Sequence, residues 1–186
     1  MDKFLYFVVI LIIIISVSLV VYALLTGVPT LSSSRAEVNE VIALLKRASL
    51  VREAMIVDLG SGWGALAVAL AQAFPDASVE GIEIALFPYL ISRLRTHGLS
   101  NVSLKWGNFF RDDLRRADAI VCYLMPTVMP SVGELLDRNL KPGTCVVSNT
   151  FLFRGRRISA AHQAGLRGVV ALYVWPARHL LADGYE

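Results

Sequence analysis

The sequence has little with which to build a disulfide framework, a metal centre or a polyanion-binding surface. It contains two cysteines and three histidines in 186 residues. Cys122 and Cys145 each sit inside an apolar run. They read as reduced core thiols, which suits a reducing compartment, rather than as a bridge. His97, His162 and His179 are scattered, without the spacing of metal ligands, so no metal is expected and all three are assigned to the surface. Charged residues make up only 18% of the chain, with a formal net charge of +3. That balance is too weak to point to nucleic acid, although it suits the surface of an anionic leaflet. Internal repeats and low-complexity tracts are absent.

Charge is missing altogether from Phe4 to Leu25, FLYFVVILIIIISVSLVVYALL, where two serines are the only interruption. A bilayer core of about 30 Å calls for about 20 apolar residues in a helix. Tyr6 and Tyr22 lie near the ends of the run, at headgroup depth. A signal peptide has a shorter apolar stretch and a small-residue cleavage site, for which VYALLTG is a poor match. A buried core helix would show a polar face, and none is present. The run therefore predicts an uncleaved transmembrane anchor in residues 1–27, followed by one domain in 28–186. Only Lys3 precedes the span, whereas Arg35, Lys46, Arg47 and Arg52 follow it. Positive residues stay inside, so the C-terminal domain is expected to face the cytoplasm. No Arg-rich presequence is present, which favours a bacterial inner membrane over a mitochondrial one.

After a Gly/Pro/Ser linker, TGVPTLSSS, Ser34 and Glu37 form a possible capping box at the head of a helix. The remainder alternates. Strand Met55–Leu59 precedes helix Ala65–Ala73. Strand Ser78–Ile84 precedes helix Leu86–His97, with Pro88 in its first turn. Strand Val102–Lys105 is followed by a loop. Strand Ala119–Leu124 precedes helix Ser131–Leu140, and KPG leads into strand Thr144–Thr150. A last strand is expected over Val169–Trp175. Such alternation predicts an α/β domain with a parallel, Rossmann-like sheet and helices on both faces. Ligands of such sheets bind beyond the carboxyl ends of the strands.

The first strand-to-helix turn, VDLGSGWGALAVALA, carries Gly60, Gly62 and Gly64 around Ser61. Gly60, Gly62 and Ala65 also satisfy a dinucleotide fingerprint, so the glycines do not choose a ligand. Asp58 does. A pyrophosphate at a helix N-terminus needs amide donors and positive potential. A carboxylate beside it repels it by a few kcal/mol, on the order expected at close range in a partly dry site. S-adenosylmethionine carries an ammonium and a sulfonium and no phosphate, so an acid before the turn favours it over NAD. Glu83, ending the second strand, fits the ribose hydroxyls of either cofactor. Glu80 lies on the opposite face of that strand and is expected to be structural. Asn108 and Phe109, in WGNFF, are candidates for hydrogen bonding and stacking with adenine; a turn asparagine followed by core aromatics is the alternative. Little chain remains for the substrate domain that a dehydrogenase usually adds.

Together these residues resemble the class I S-adenosylmethionine-dependent methyltransferases. VDLGSGWG is similar to their first motif, Glu83 to the acid after their second strand, GNFF to their third-strand motif, and LKPGTCVVSN to their turn into the fifth strand. The apolar N-terminus, VPT, DLGSG and YLMP together resemble a narrower group, the small membrane-anchored protein-lysine methyltransferases. Members modify the ATP synthase c-subunit and the adenine nucleotide translocase, and bacterial relatives exist. The resemblance implies methyl transfer to a lysine of a membrane protein. Trp63 stands where that group is expected to have an acidic or small residue.

For such a transfer, CYLMPTVMP at the fourth-strand exit is expected to line the acceptor pocket, through Tyr123, Met125 and Pro126. Tyr123 is the candidate polar contact, with a core tyrosine as the alternative. The motif is not the Asn/Asp-Pro-Pro-Tyr/Phe arrangement that grips planar nitrogens, which disfavours base methylation. FRGRR, Phe153–Arg157, reads first as a solvated loop and otherwise as a contact for lipid or a substrate protein. Two other functions remain open at this point: methylation of a lipid headgroup or small lipophilic molecule, and a non-catalytic S-adenosylmethionine-binding scaffold.

Overall fold

In the computed structural model the described residues are 3–26, 34–164 and 168–176, the side chains of 18–26 excepted. Helix α1 runs over Lys3–Thr26. Helix α2, Arg35–Arg47, opens with the expected capping box: Ser34 N–H donates to Glu37 Oε2 at 2.6 Å, and Glu37 N–H donates to Ser34 Oγ at 3.3 Å. The alternating elements follow as β1 (Met55–Leu59), α3 (Ala65–Ala73), β2 (Ser78–Glu83), α4 (Leu86–Arg95) and β3 (Val102–Trp106). After a 3-10 turn at Phe109–Arg111 come β4 (Ala119–Cys122), α5 (Met129–Asn139), β5 (Cys145–Asn149), β6 (Ala160–Ala164) and β7 (Gly168–Val174).

The seven strands form one sheet in the order β3-β2-β1-β4-β5-β7-β6. The first five are parallel, so the exits of β1, β2, β3, β4 and β5 share one carboxyl edge. The sheet as a whole is mixed, which corrects the parallel expectation: β7 runs antiparallel to both β5 and β6. No helix connects β5 to β6, so nothing returns the chain for another parallel crossover. Strand β6, AAHQA, lies outside the strands that the sequence predicts. It has no β-branched residue, and its conformation comes from pairing with β7 and packing on α2 rather than from local propensity.

Helices do cover both faces, unequally. On one face Val41, Leu44 and Leu45 of α2 and Leu66, Ala67 and Leu70 of α3 pack on alternate residues of the sheet. Helix α4 packs beside α3 over β2 and β3. Among the described residues the other face has α5 alone, with Val132, Leu135 and Leu136 buried. An aromatic group completes it: Phe153 contacts Tyr173 and Trp175 edge-on, with ring centroids 5.4 Å apart in each pair. Cys122 and Cys145 are buried free thiols, as expected.

Helix α1 packs against α4. Among the described residues no helix is long and apolar enough to cross a membrane. Side chains of α1 are described only through Val17. The side chains of the rest of the apolar run, Tyr22 included, are not described, and residues 27–33 of the linker and His179 lie outside the described residues.

Candidate active site

The β1–α3 turn is bound to β2. Gly60 N–H and Ser61 N–H both donate to Ile82 O, at 2.9 and 3.1 Å. Gly60, Gly62 and Gly64 have φ of +75°, +52° and +78°, a region that costs any other residue strain. The turn is also crowded. A side chain begun at Gly64 would lie 2.7 Å from Ser92 Cβ, and one at Gly60 would lie 2.9 Å from Leu124 Cδ2. No side chain caps α3, so its first N–H groups are left open at the carboxyl edge.

Glu83 is buried and is engaged by the backbone. Its Oε2 accepts from Gly62 N–H at 2.8 Å and its Oε1 from Ala85 N–H at 2.7 Å. It therefore ties the glycine turn to the head of α4. A carboxylate offers about four acceptor positions, so capacity remains for a ligand hydroxyl. Burial raises the Glu83 pKa, against the backbone hydrogen bonds from Ala85, Gly62 and Ile84, which lower it.

Asp58 is also buried, opposite Gly81 of β2 and Val121 of β4. Its Oδ2 has no hydrogen-bond partner among the described residues, and neither has Ser61 Oγ. Burial, and secondarily the Glu83 charge, push the Asp58 pKa up to about 7. A buried carboxylate oxygen without a donor is costly, and a cation supplies what it lacks. The turn thus fits the ammonium and nucleoside of S-adenosylmethionine and disfavours a pyrophosphate.

The remaining cofactor candidates follow the carboxyl end of β3. Asn108 caps the 3-10 turn through Oδ1, which accepts from Phe110 N–H at 3.0 Å. Phe109 packs partly against the second core and against Phe110, 4.6 Å between centroids. Glu80 is half-buried, three residues before Glu83 in β2. Trp63 is half-buried and meets Phe87 edge-on at 5.7 Å, while its carbonyl accepts from Arg95 Nη1 at 3.1 Å.

The β4 and β5 exits carry different material. Tyr123 stacks on Phe151, with centroids 6.4 Å apart. Thr150 has φ of +68°, rare for a β-branched residue and costing about 1–3 kcal/mol. Its N–H donates to Val169 O at 2.8 Å, and Phe151 N–H donates to Asn149 O at 2.8 Å, so pairing to β7 holds the strained corner. Ser148 Oγ donates to Phe151 O. A cavity of about 670 Å³ opens next to this corner, lined by Pro126, Met129, Gly133, Phe151 and Arg154 among others. Of the expected acceptor residues, Pro126 lines it and Tyr123 and Met125 do not. None of the glycine-turn residues lines it either. The cofactor assignment therefore rests on the turn's hydrogen bonding and not on this cavity.

FRGRR is not simply a solvated loop. Phe153 is buried, and Arg156 lies over the Trp175 ring at 4.7 Å while pairing with Asp137. Its guanidinium is held by a ring and a carboxylate that are distant in sequence. His97 is exposed, as expected, but His162 is half-buried, with Nδ1 2.8 Å from Glu40 Oε2 and Nε2 3.4 Å from Arg47 Nη1. Three contributors were not picked out of the sequence: Phe151, Thr150 and Gly81. A side chain on Gly81 would lie 2.7 Å from Leu104 Cδ2 and 2.9 Å from Ser61 Cβ. A glycine inside a strand is itself a sign of such close approach. Phe151 and Thr150 left no comparable mark.

This turn, acid pair and sheet order define a methyltransferase domain. The model of the family described as "ANTKMT methyltransferase domain" matches residues 58–160, and the chain belongs to that family. A protein-lysine N-methyltransferase of Saccharolobus islandicus is 28% identical over 137 residues, covering 70% of this chain and 85% of that one. Among solved structures, an RNA methyltransferase from Salinibacter ruber in complex with S-adenosylhomocysteine superposes with a TM-score of 0.70. It is 22% identical and covers 84% of this chain and 99% of that one. A methyltransferase from Geobacter sulfurreducens, also with S-adenosylhomocysteine, has a TM-score of 0.52 at 22% identity, covering 62% of this chain and 48% of that one. At these identities the structures speak for the fold. The protein is a methyltransferase, and the methyl donor expected from Asp58 and the glycine turn is the one these comparisons support.

Proposed function

We propose that the protein transfers a methyl group from S-adenosylmethionine to a lysine of a membrane-associated protein, from a domain held at the cytoplasmic face of a membrane by its N-terminal helix. The observation that carries the donor is the unpartnered Asp58 Oδ2 behind the glycine turn. The lysine acceptor is supported by the family and by the name of the Saccharolobus relative. The anchor reading rests on the uncharged run Phe4–Leu25 of the sequence.

The bound donor supplies an electrophilic methyl on a sulfonium. The rest is positioning. Asp58 would meet the ammonium, Glu83 a ribose hydroxyl, and the turn would hold the nucleoside, so that nucleophile and methyl can lie in line; such alignment is worth several kcal/mol, on the order of 7–11 at best. A neutral lysine amine would take the methyl, N–C forming as C–S breaks, and the methylated ammonium would lose a proton to solvent. A free lysine has a pKa of about 10.4 and must first be deprotonated. Stretches 123–130 and 149–156 contain no Asp, Glu or His. Apolar walls such as Phe151 and Leu152 would lower the lysine pKa by desolvation, without a side-chain base.

The test is methyl labelling. Full-length protein and methyl-tritiated S-adenosylmethionine are incubated with membranes lacking the enzyme, with Asp58→Ala as control. Label in a discrete protein band, on lysine and absent in the control, is the expected result. Label in the organic extract would instead assign a lipid or lipophilic acceptor and remove the protein-lysine reading. Binding without any transfer would leave a scaffold.

A further inference from the structure

Helix α4 is turned the wrong way for a helix facing water. Its buried positions, Pro88 and Ser92, continue at the same spacing to Thr96, and all three are small or polar. Its outward positions at that spacing are Leu86, Leu90 and Leu94, exposed by 45, 47 and 72%. An ordinary surface helix has the opposite arrangement.

The inward side has a local cause. Ser92 abuts the Gly64 backbone, where a larger residue would displace the cofactor turn. Ser92 Oγ donates to Tyr89 O at 2.7 Å and Thr96 Oγ1 to Ser92 O at 3.0 Å, so both hydroxyls are satisfied within the helix. The outward leucines have no such cause, because they belong to neither core cluster.

The apolar stripe continues past the helix. Ile84 and Trp106 are exposed by 46 and 57%, and Trp106 Nε1 donates to Ile84 O at 2.9 Å. Trp106 shares strand parity with Val102 and Leu104, which face the α3 side, so its ring stands on the α4 side of β3. Segment 84–97 contains Arg93, Arg95 and His97 and no Asp or Glu. Helix α1, the most apolar element, packs against α4, with Val8 and Ile15 half-buried, and the three leucines remain exposed.

We infer that Ile84, Leu86, Leu90, Leu94 and Trp106 form a lipid-docking surface, seated in the headgroup–acyl boundary of an anionic bilayer next to α1. A leucine stripe with an Arg rim and a boundary tryptophan is the composition of an interfacial helix. The Arg rim without acids complements anionic headgroups. Continuity with α1 selects lipid over a second protein. Docking holds the catalytic domain in one orientation on the membrane instead of leaving it to swing on its linker. The inference rests on the reading of α1 as a membrane anchor.

The experiment uses the full-length chain in phosphatidylcholine vesicles containing phosphatidylglycerol and shallow doxyl lipid. An environment-sensitive thiol label is placed through Leu90→Cys, Leu94→Cys and, on α5 of the other sheet face, Arg138→Cys; the native thiols are buried. Labels at 90 and 94 are expected to shift to the blue and lose about half their emission to the doxyl lipid, with position 138 unaffected. Co-flotation with vesicles but equal behaviour at all three positions overturns the docking surface and leaves the anchor standing. Failure to co-float overturns both. Protection from aqueous iodide at 90 and 94 without lipid quenching means that protein covers the stripe, and also overturns it. Each labelled variant is checked for S-adenosylmethionine binding. Should one lose it, the emission difference between wild type and Trp106→Phe in the same vesicles reads the surface without a label.

Discussion

The carboxyl edge of the sheet is made of two unlike halves. Over β1 and β2 it is polar and closely held: two buried carboxylates, three left-handed glycines, and a turn hydrogen-bonded to both Ile82 and Glu83. Over β4 and β5 it is aromatic and open: Tyr123 on Phe151, a strained Thr150 and a cavity free of carboxylates. A cofactor of fixed shape and charge is met by groups placed in advance. On the proposed function, a lysine that must arrive neutral is met by aromatic walls that bring no opposite charge to stabilise its ammonium. The difference separates binding from transfer, and that separation can be broken from either side.

The largest effect is expected from Asp58→Ala and Glu83→Ala. Each should weaken S-adenosylmethionine binding by at least about tenfold, roughly 1.4 kcal/mol, measured by calorimetry on folded protein. Unchanged affinity would remove both from the site. Glu83→Ala also strands the Gly62 and Ala85 N–H groups, so its melting temperature should fall as well.

Gly64→Ala comes next. The φ of +78° and the approach to Ser92 combine, and an exchange of this kind costs about 1–3 kcal/mol. Denaturant unfolding should show the loss of stability, and cofactor affinity should fall with it because the same turn is displaced.

The pH dependence of S-adenosylmethionine affinity should come from Asp58. In the free protein Asp58 titrates near 7, and an ammonium ligand selects its ionised form. Affinity should therefore weaken as pH falls through about 7, approaching about tenfold per unit below it, and this slope should vanish in Asp58→Asn. The unliganded fold has the opposite sign. A carboxyl raised from 3.8 to about 7 makes a contribution to stability that is present at low pH and lost as pH rises through that window.

The smallest effects belong to the acceptor half. Phe151→Ala should lower methyl transfer several-fold, about 1 kcal/mol in the barrier, while S-adenosylmethionine affinity stays unchanged. Tyr123→Phe keeps the stacked ring and should cost less than about threefold. Single-turnover transfer beside equilibrium binding separates the two; equal losses in both would mean that the halves are not independent.

The same division governs what could be read in advance. Helix Ala65–Ala73 and strand Met55–Leu59 follow from residues within the segments: a glycine turn, an alanine-rich run and an apolar strand. Asp58 was legible because one acid before a glycine turn is an electrostatic statement in itself. Strand β6 was not, since its AAHQA sequence becomes a strand only against β7 and α2. Arg156 read as loop charge because Asp137 and Trp175, its two partners, are each 19 residues away in the chain. Glu83 was read as a ligand acceptor, and its hold on the Gly62 and Ala85 amides emerged only with the turn folded beside it.

By itself the sequence determined the alternation of elements, the uncharged N-terminal run and the acid-plus-glycine turn, because each depends on neighbours a few residues apart. Only the tertiary structure decided the antiparallel closing strands, the orphaned oxygen of Asp58, the Tyr123–Phe151 wall and the outward leucines of α4. Those depend on which distant segments exclude water from one another, and burial is a property of the packed chain, not of any one stretch of it.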